Sequence, residues 1–312
     1  MTITKEDVIW AYRMILGREP ESEEVIRLHM GLADREALRA AMLASQEFQS
    51  KQKTIEFPEK WVSTDVHAGA FRMWLDLGDK YVSFGCLMDN YEPLESGFIA
   101  RNVKPGQNVL DIGANIGWHM LGLRKAVGAD GSVWAFEPRR PTLDYLQRTL
   151  ADNDLSDSVT IHPFGLWDEP RSAQLAWTEK TTNPGGSYVD AEGTSGQSKI
   201  DIDLRALDSL NLPRTDFIKI DIEGAEPRAL KGGARLIAAH KPLILSELHP
   251  DQLQNVSGVS AAEYIGYMKG FGYSCQLLEP GRIGETIDDY PSDLPRELTN
   301  VVFSTPEHEV SW

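Results

Sequence analysis

Three apolar runs ending in acids or glycines carry the chemistry of this chain: Val109-Leu110-Asp111-Ile112-Gly113-Ala114-Asn115-Ile116-Gly117, Trp134-Ala135-Phe136-Glu137-Pro138, and Phe217-Ile218-Lys219-Ile220-Asp221-Ile222-Glu223-Gly224-Ala225-Glu226. An apolar run that stops at a carboxylate or a glycine reads as a buried parallel strand delivering a binding loop at its carboxyl end. The glycine spacing limits the ligand. A dinucleotide site needs a central glycine so that the backbone can approach a pyrophosphate, and Asn115 holds that place between Gly113 and Gly117. This opposes a nicotinamide-dependent oxidoreductase. Glu137, about 20 residues beyond the glycines, can accept both hydroxyls of a ribose on its two oxygens. A nucleoside without phosphates, such as S-adenosylmethionine, meets both conditions. Gly113 and Gly117 then turn the chain sharply and aim a helix N-terminus at the methionine carboxylate, the plainer alternative being an ordinary strand-to-helix turn.

If the nucleoside is S-adenosylmethionine, transfer of its methyl to an oxygen needs the acceptor in line with the methyl and a group that takes the acceptor's proton. Asp221 and His249 end adjacent strands and face one edge. An imidazole can take that proton at neutral pH; the alternative for His249 is a structural role, held by Glu247 or by backbone. Asp221 is equally the base, or orients the base or the acceptor. Glu223 and Glu226 add negative charge near a cationic ligand, although Glu226 also suits the opening of a helix. Asp221, Glu223 and His249 invite a Mg2+ reading, but that ion keeps several waters and the spacing does not demand it.

The elements that must position these residues alternate. Strands are expected near 108–112, 132–136, 158–164, 216–221, 242–248, 272–278 and 299–304, and helices near 117–127, 141–153, 226–239 and 260–270. Such alternation implies an α/β fold, a parallel sheet covered by helices on both faces. Tyr81-Val82-Ser83-Phe84 reads as a short strand, and Tyr91-Glu92-Pro93 opens a helix that stops at Lys104-Pro105-Gly106. Residues 170–206 read as two strands around a long loop. Its 178–198 segment is expected to form a flap over the acceptor, with Asn183 and Ser187, joined by Glu223, as substrate contacts. Residues 4 to 50 carry helical periodicity through Val8, Ala11, Tyr12, Ile15 and Leu16 and then Leu38, Met42 and Leu43. The domain boundary is therefore set at 55: a helical module over 1–55 and a catalytic domain over 56–312.

A formal net charge of -16 repels a phosphate backbone over most of the surface, so nucleic acid is not the expected partner. The Met1-Thr2-Ile3-Thr4-Lys5 start lacks a basic region followed by an apolar one, and no run approaches the roughly 20 apolar residues of a membrane span. Cys86 and Cys275 are too few for a disulfide framework and lack metal-ligand spacing. A cytoplasmic location is expected.

The quoted motifs, with Tyr91-Glu92-Pro93 and Ser246-Glu247-Leu248-His249, resemble the FkbM family of S-adenosylmethionine-dependent O-methyltransferases over roughly residues 90 to 305. The resemblance implies a Rossmann-like class I methyltransferase sheet of seven strands with the last antiparallel. It also implies that Asp111 lies near the methionine portion, where its alternative is a cap on the Gly113 turn. Glu92 falls near the same end and could pair with the ammonium, or simply open its helix. Gly165 and Asp168, in Phe164-Gly165-Leu166-Trp167-Asp168, fall where this fold meets the adenine.

The N-terminal Tyr12-Arg13-Met14-Ile15-Leu16-Gly17-Arg18-Glu19-Pro20 and Ser45-Gln46-Glu47-Phe48 are similar to a helical module of bacterial proteins, some linked to surface-glycan assembly. That resemblance turns the expected acceptor towards a sugar hydroxyl of a surface polysaccharide or glycoside, with a protein or glycan partner for the module. The contrasting expectation is a noncatalytic scaffold that recruits partners through these helices.

Overall fold

The computed structural model describes residues 3–51, 61–77, 79, 81–177, 186–190, 198–292 and 299–311. The first fifty residues form α1 (Lys5–Ala11), a π-turn at Tyr12–Leu16, α2 (Glu23–Met30), α3 (Arg35–Ala44) and α4 (Gln46–Lys51). Each longer helix starts at a polar cap: Thr4, Ser22 and Asp34 accept the N–H groups of Asp7, Val25 and Ala37. Their apolar faces bury Val8, Ile15, Leu38 and Met42 together with Phe84 and Met88 from further along the chain. Arg35 fastens the contact by donating to the Met88 carbonyl at 2.9 Å while pairing with Asp7 at 3.1 Å. The proposed boundary at 55 falls outside the described residues.

A hairpin follows, β1 (Trp61–Val66) and β2 (Phe71–Asp76), and then α5 (Val82–Leu87) and α6 (Pro93–Asn102). The segment expected as a strand at Tyr81–Phe84 is thus the start of a helix. The reason is Asp79, whose carboxylate accepts the N–H groups of Tyr81, Val82 and Ser83 and caps the turn.

The main sheet takes β3 (Asn108–Ile112), β4 (Ser132–Phe136) and β5 (Val159–His162), which alternate with α7 (Trp118–Val127) and α8 (Arg140–Asp152). A smaller sheet is then inserted, from β6 (Gly165–Leu166), β7 (Arg171–Trp177), β8 (Tyr188–Asp190) and β9 (Ser198–Arg205). The main sheet resumes with β10 (Phe217–Ile220), α9 (Glu226–Lys231), α10 (Ala234–His240), β11 (Leu243–Leu248), α11 (Pro250–Gln252), α12 (Ala261–Lys269), β12 (Ser274–Glu279), β13 (Arg282–Ile287) and β14 (Thr299–Ser304). Strand order is β13-β12-β14-β11-β10-β3-β4-β5. The five strands from β11 to β5 are parallel, and β14 is antiparallel to both of its neighbours. This is the expected class I sheet with one more edge strand, β13, added by a hairpin.

Central strands are apolar on both faces because helices cover both. Val109 and Leu110, one residue apart on β3, belong to opposite core layers. The chain leaves β3 towards β4 on one side and returns through β10 on the other, so a crevice opens between the carboxyl ends of β3 and β10. The inserted sheet, in the order β6-β9-β7-β8, contains the two expected strands as the long antiparallel pair β7 and β9. The helix expected over 226–239 breaks at Gly232-Gly233, where Cβ atoms would come 2.1 Å from the Trp167 carbonyl oxygen and 2.8 Å from Leu207.

Candidate active site

The crevice holds a cavity of about 310 Å³. The β3–α7 turn and first turn of α7 contribute Gly113 to His119, the end of β4 contributes Glu137 and Arg139, and the segment before α6 contributes Tyr91 and Glu92. Lys219, Asp221 and Glu223 enter from β10 and the loop after it. The inserted sheet adds apolar cover through Leu175, Val189, Ile202 and Leu204.

Gly113, Asn115 and Gly117 all have positive φ, at 88°, 47° and 99°. At Gly113 the reason is the neighbouring strand: a Cβ there would stand 1.9 Å from the Asp221 carbonyl oxygen. The turn aims the Asn115 N–H at Glu137 Oε2, 3.0 Å away, while the Arg139 N–H donates to Oε1 at 2.8 Å. Each carboxylate oxygen therefore holds one backbone donor and keeps a further lone pair. Glu137 is 8% exposed, and burial pushes it up to about 7 against the pull of those two donors.

The other end of the cavity is dense in charge. His119 Nε2 lies 2.6 Å from Glu92 Oε2, and Lys219 Nζ donates to Asp221 Oδ2 at 3.1 Å. Burial works against ionisation of both acids, yet His119 keeps Glu92 below its ordinary value and Lys219 does the same for Asp221. Burial also acts to lower Lys219, but Asp221, Asp111 and Glu92 outweigh it and hold the ammonium firmly charged. Glu223 accepts from Gln252 Nε2 at 2.5 Å and is pushed up to about 8 by burial and then by Asp221. Glu226 accepts the N–H groups of Ile222 and Gly224, and burial takes it to about 7.

The cavity wall brings together Glu92, Gly113, Asn115, Gly117, Glu137, Gly165, Ser187, Asp221 and Glu223. Three other expected site residues are elsewhere. Asp111 is fully buried behind the wall, and both its oxygens lack a hydrogen-bond partner among the described residues. Asp168 is engaged by Arg228 at 2.9 Å and Lys231 at 3.4 Å, so it ties β6 to α9 rather than facing the cavity. His249 caps α11, off the wall, with its buried Nδ1 unpartnered among the described residues. Gly165 lines the cavity, but the packing it permits is with Leu204, whose Cδ2 would be 2.6 Å from a Cβ. Asn183 and most of the expected flap lie outside the described residues.

Sequence reasoning missed His119 and Lys219. Lys219 was detectable, since a lysine two residues before Asp221 in a buried strand must share its face. Among the described residues no group of three His, Cys, Asp or Glu side chains converges to hold a metal ion, and no helix is long and apolar enough to cross a membrane.

The model of the methyltransferase FkbM domain matches residues 111–275, more than half the chain and all of the cavity's strand ends. Methyltransferase 1 of Beauveria bassiana (strain ARSEF 2860) is 30% identical over 146 residues, covering 40% of this chain and 57% of that protein. The hexuronic acid methyltransferase AglP of Haloferax volcanii is 26% identical over 140 residues, covering 45% of this chain and 54% of that protein. The chain thus spans little more than half the length of these relatives. A solved structure of methyltransferase FkbM from Methylobacillus flagellatus KT aligns with a TM-score of 0.44 at 20% identity, covering 95% of this chain and 58% of that one. With its glycine turn and the acids Glu137, Asp221 and Glu223 inside the matched region, the chain belongs to the FkbM methyltransferase family.

Proposed function

We propose that the cavity binds S-adenosylmethionine and that the protein is an O-methyltransferase acting on a sugar hydroxyl, in a bacterial surface polysaccharide or a glycoside. The observation that carries this reading is Glu137: two backbone donors fix its carboxylate plane and leave one acceptor position on each oxygen for a pair of vicinal hydroxyls. Glu92 and Asp221 supply negative charge for an ammonium and a sulfonium at the opposite end. The N-terminus of α7 favours a carboxylate. Pro138, Leu166 and Leu204 offer apolar surface to a purine.

When bound, the cofactor supplies a methyl group made electrophilic by the sulfonium. Asp221, ionised and on the wall, takes the acceptor's proton in this reading, and His249, off the wall, does not. The hexuronic acid relative supports a sugar as acceptor. The helical module over 1–55 would dock a glycan or protein partner for the catalytic domain over 56–312, in the cytoplasm.

The test is to incubate the purified protein with methyl-labelled S-adenosylmethionine and bacterial glycan extracts, followed by mass spectrometry. Label on a sugar oxygen supports the reading. Label confined to nonsugar products overturns the acceptor, and absence of S-adenosylmethionine binding overturns the cofactor.

A further inference from the structure

Strand register, rather than any loop, assembles a row of ionisable groups across the middle of the main sheet. Asp111 pairs with Lys219 between β3 and β10, and Lys219 and Asp221 share a face two residues apart. Ile220 pairs with Ser246, so the next residues, Asp221 and Glu247, come side by side from β10 and β11. Glu92 just before α6, Glu95 within it, His119 of α7, Glu223 of the loop after β10 and Glu226 of α9 surround the row. From β14, Asn300 pairs in register with Glu247 but is uncharged and donates to Glu95.

The row carries far more carboxyl groups than Lys219 and His119 can balance. Glu247 is 3% exposed, and among the described residues no N–H or O–H donor reaches either of its oxygens, so its neighbour within hydrogen-bonding reach is the Asp221 carboxylate, which a shared proton would join to it. A carboxylate so buried and without a donor is costly, whereas a carboxylic acid beside a carboxylate can share its proton. Burial and then the charges of Asp221 and Glu223 also push Glu247 well above the carboxylate range.

We propose that Asp221 and Glu247 form a proton store matched to the sulfonium: the pair carries no proton when the cationic methyl donor is bound and one shared proton when the neutral thioether product is bound. This rests on the methyltransferase reading above. During transfer the acceptor's O–H bond breaks and an O–CH3 bond forms. The S–CH3 bond breaks with its electron pair left on sulfur, which removes the sulfonium charge. Asp221 receives the acceptor's proton and shares it with Glu247. The positive charge lost from sulfur is thus restored as a proton, and the row never holds an uncompensated pair of carboxylates. Glu247 acts through Asp221 and is a positioning residue.

The test needs no acceptor. Titration calorimetry of the full chain at pH 7, with S-adenosylmethionine and separately S-adenosylhomocysteine, is run in phosphate and in Tris, whose ionisation enthalpies differ, to count protons exchanged. The expected result is that S-adenosylmethionine expels at least about half a proton more than S-adenosylhomocysteine. Glu247→Gln should remove most of that difference, and Glu285→Gln, at an exposed carboxyl on β13 away from the cavity, should leave it. Equal proton counts for the two ligands in the unsubstituted protein overturn the store while leaving the methyltransferase reading intact. Retention of the difference in Glu247→Gln, or its loss in Glu285→Gln as well, overturns the assignment to Glu247. Failure of both ligands to bind the unsubstituted protein overturns the methyltransferase reading and the store with it.

Discussion

Removing the Glu137 carboxylate should abolish most cofactor affinity. In the proposed complex the two free acceptor positions on its oxygens would each receive one ribose hydroxyl, and a hydrogen bond to a charged group contributes about 1.5–3 kcal/mol. Glu137→Ala loses both, about 3–6 kcal/mol, and because water enters the space the lower bound is the better guide: at least about 100-fold weaker binding. Glu137→Gln keeps one oxygen but turns an NH2 towards either the Asn115 or the Arg139 N–H, donor against donor. It should weaken binding by about 10- to 100-fold. Stability moves separately. The alanine leaves those two backbone donors unpaired, about 1–3 kcal/mol each, yet removes a carboxyl that is expensive to bury. Calorimetry with S-adenosylmethionine, alongside urea unfolding, separates the two effects. Affinity should also decline as pH falls below about 7, since burial has raised Glu137 that far and its protonated form accepts hydroxyls less well. A folded Glu137→Ala protein with unchanged affinity refutes the ribose assignment and the reading built on it.

Asp221→Asn should lower turnover by about 10²–10⁴-fold, with His249→Ala within about threefold of the unsubstituted rate, in a labelled-methyl assay; the reverse result makes His249 the base. Gly113→Ala should destabilise the fold by about 3 kcal/mol or more in urea, because positive φ and a Cβ 1.9 Å from the Asp221 carbonyl oxygen both oppose it. A loss below about 1 kcal/mol would mean that the turn yields freely. The ligand-free protein should melt at a higher temperature at pH 5.5 than at pH 8.5. Glu137 and Glu226 rise to about 7 and Glu223 to about 8 on folding, so their contribution is fully present below the unfolded value and is lost as pH climbs through 7 to 8. Each carboxyl protonated only in the folded state gives a slope of about 1.4 kcal/mol per pH unit. Asp221 and Glu92, held low, lose their contribution only at pH values below this window. A midpoint that rises towards pH 8.5 refutes the account.

The main sheet was legible because its central strands are buried on both faces. Runs such as Leu243-Ile244-Leu245-Ser246 have no amphipathic alternative, and Gly or Pro punctuates them. The hairpin β1–β2 was not legible, because its turn uses positive φ at His67 and Ala68, residues that ordinarily avoid it. The Asp89 carboxylate accepts both their N–H groups from about 20 residues away, a tertiary cause with no local signature. The helix at Val82 failed for a different reason. Its Tyr-Val-Ser-Phe start favours a strand by side-chain type, while Asp79 three residues earlier supplies the cap that decides the matter.

The same division runs through the site. Residues at strand ends, Glu137 and Asp221, could be assigned to the sheet edge because period two and strand direction fix where they emerge. Asp168 could not, since its position after β6 says nothing of Arg228, which arrives from α9 and occupies it. Leu248 ends β11 and His249 turns away to cap the helix that Pro250 opens, so proximity to the strand end did not carry the ring onto the cavity wall. Lys219 is the more useful case. An ammonium in the fully buried run Phe217-Ile218-Lys219-Ile220 is untenable alone, so any fold that buries it must bring carboxylates to the same face of the neighbouring strands. Asp111 and Asp221 satisfy that demand by register. The lysine, read as a requirement rather than as an exception to the apolar pattern, points from sequence to the row of acids that a cationic ligand would enter.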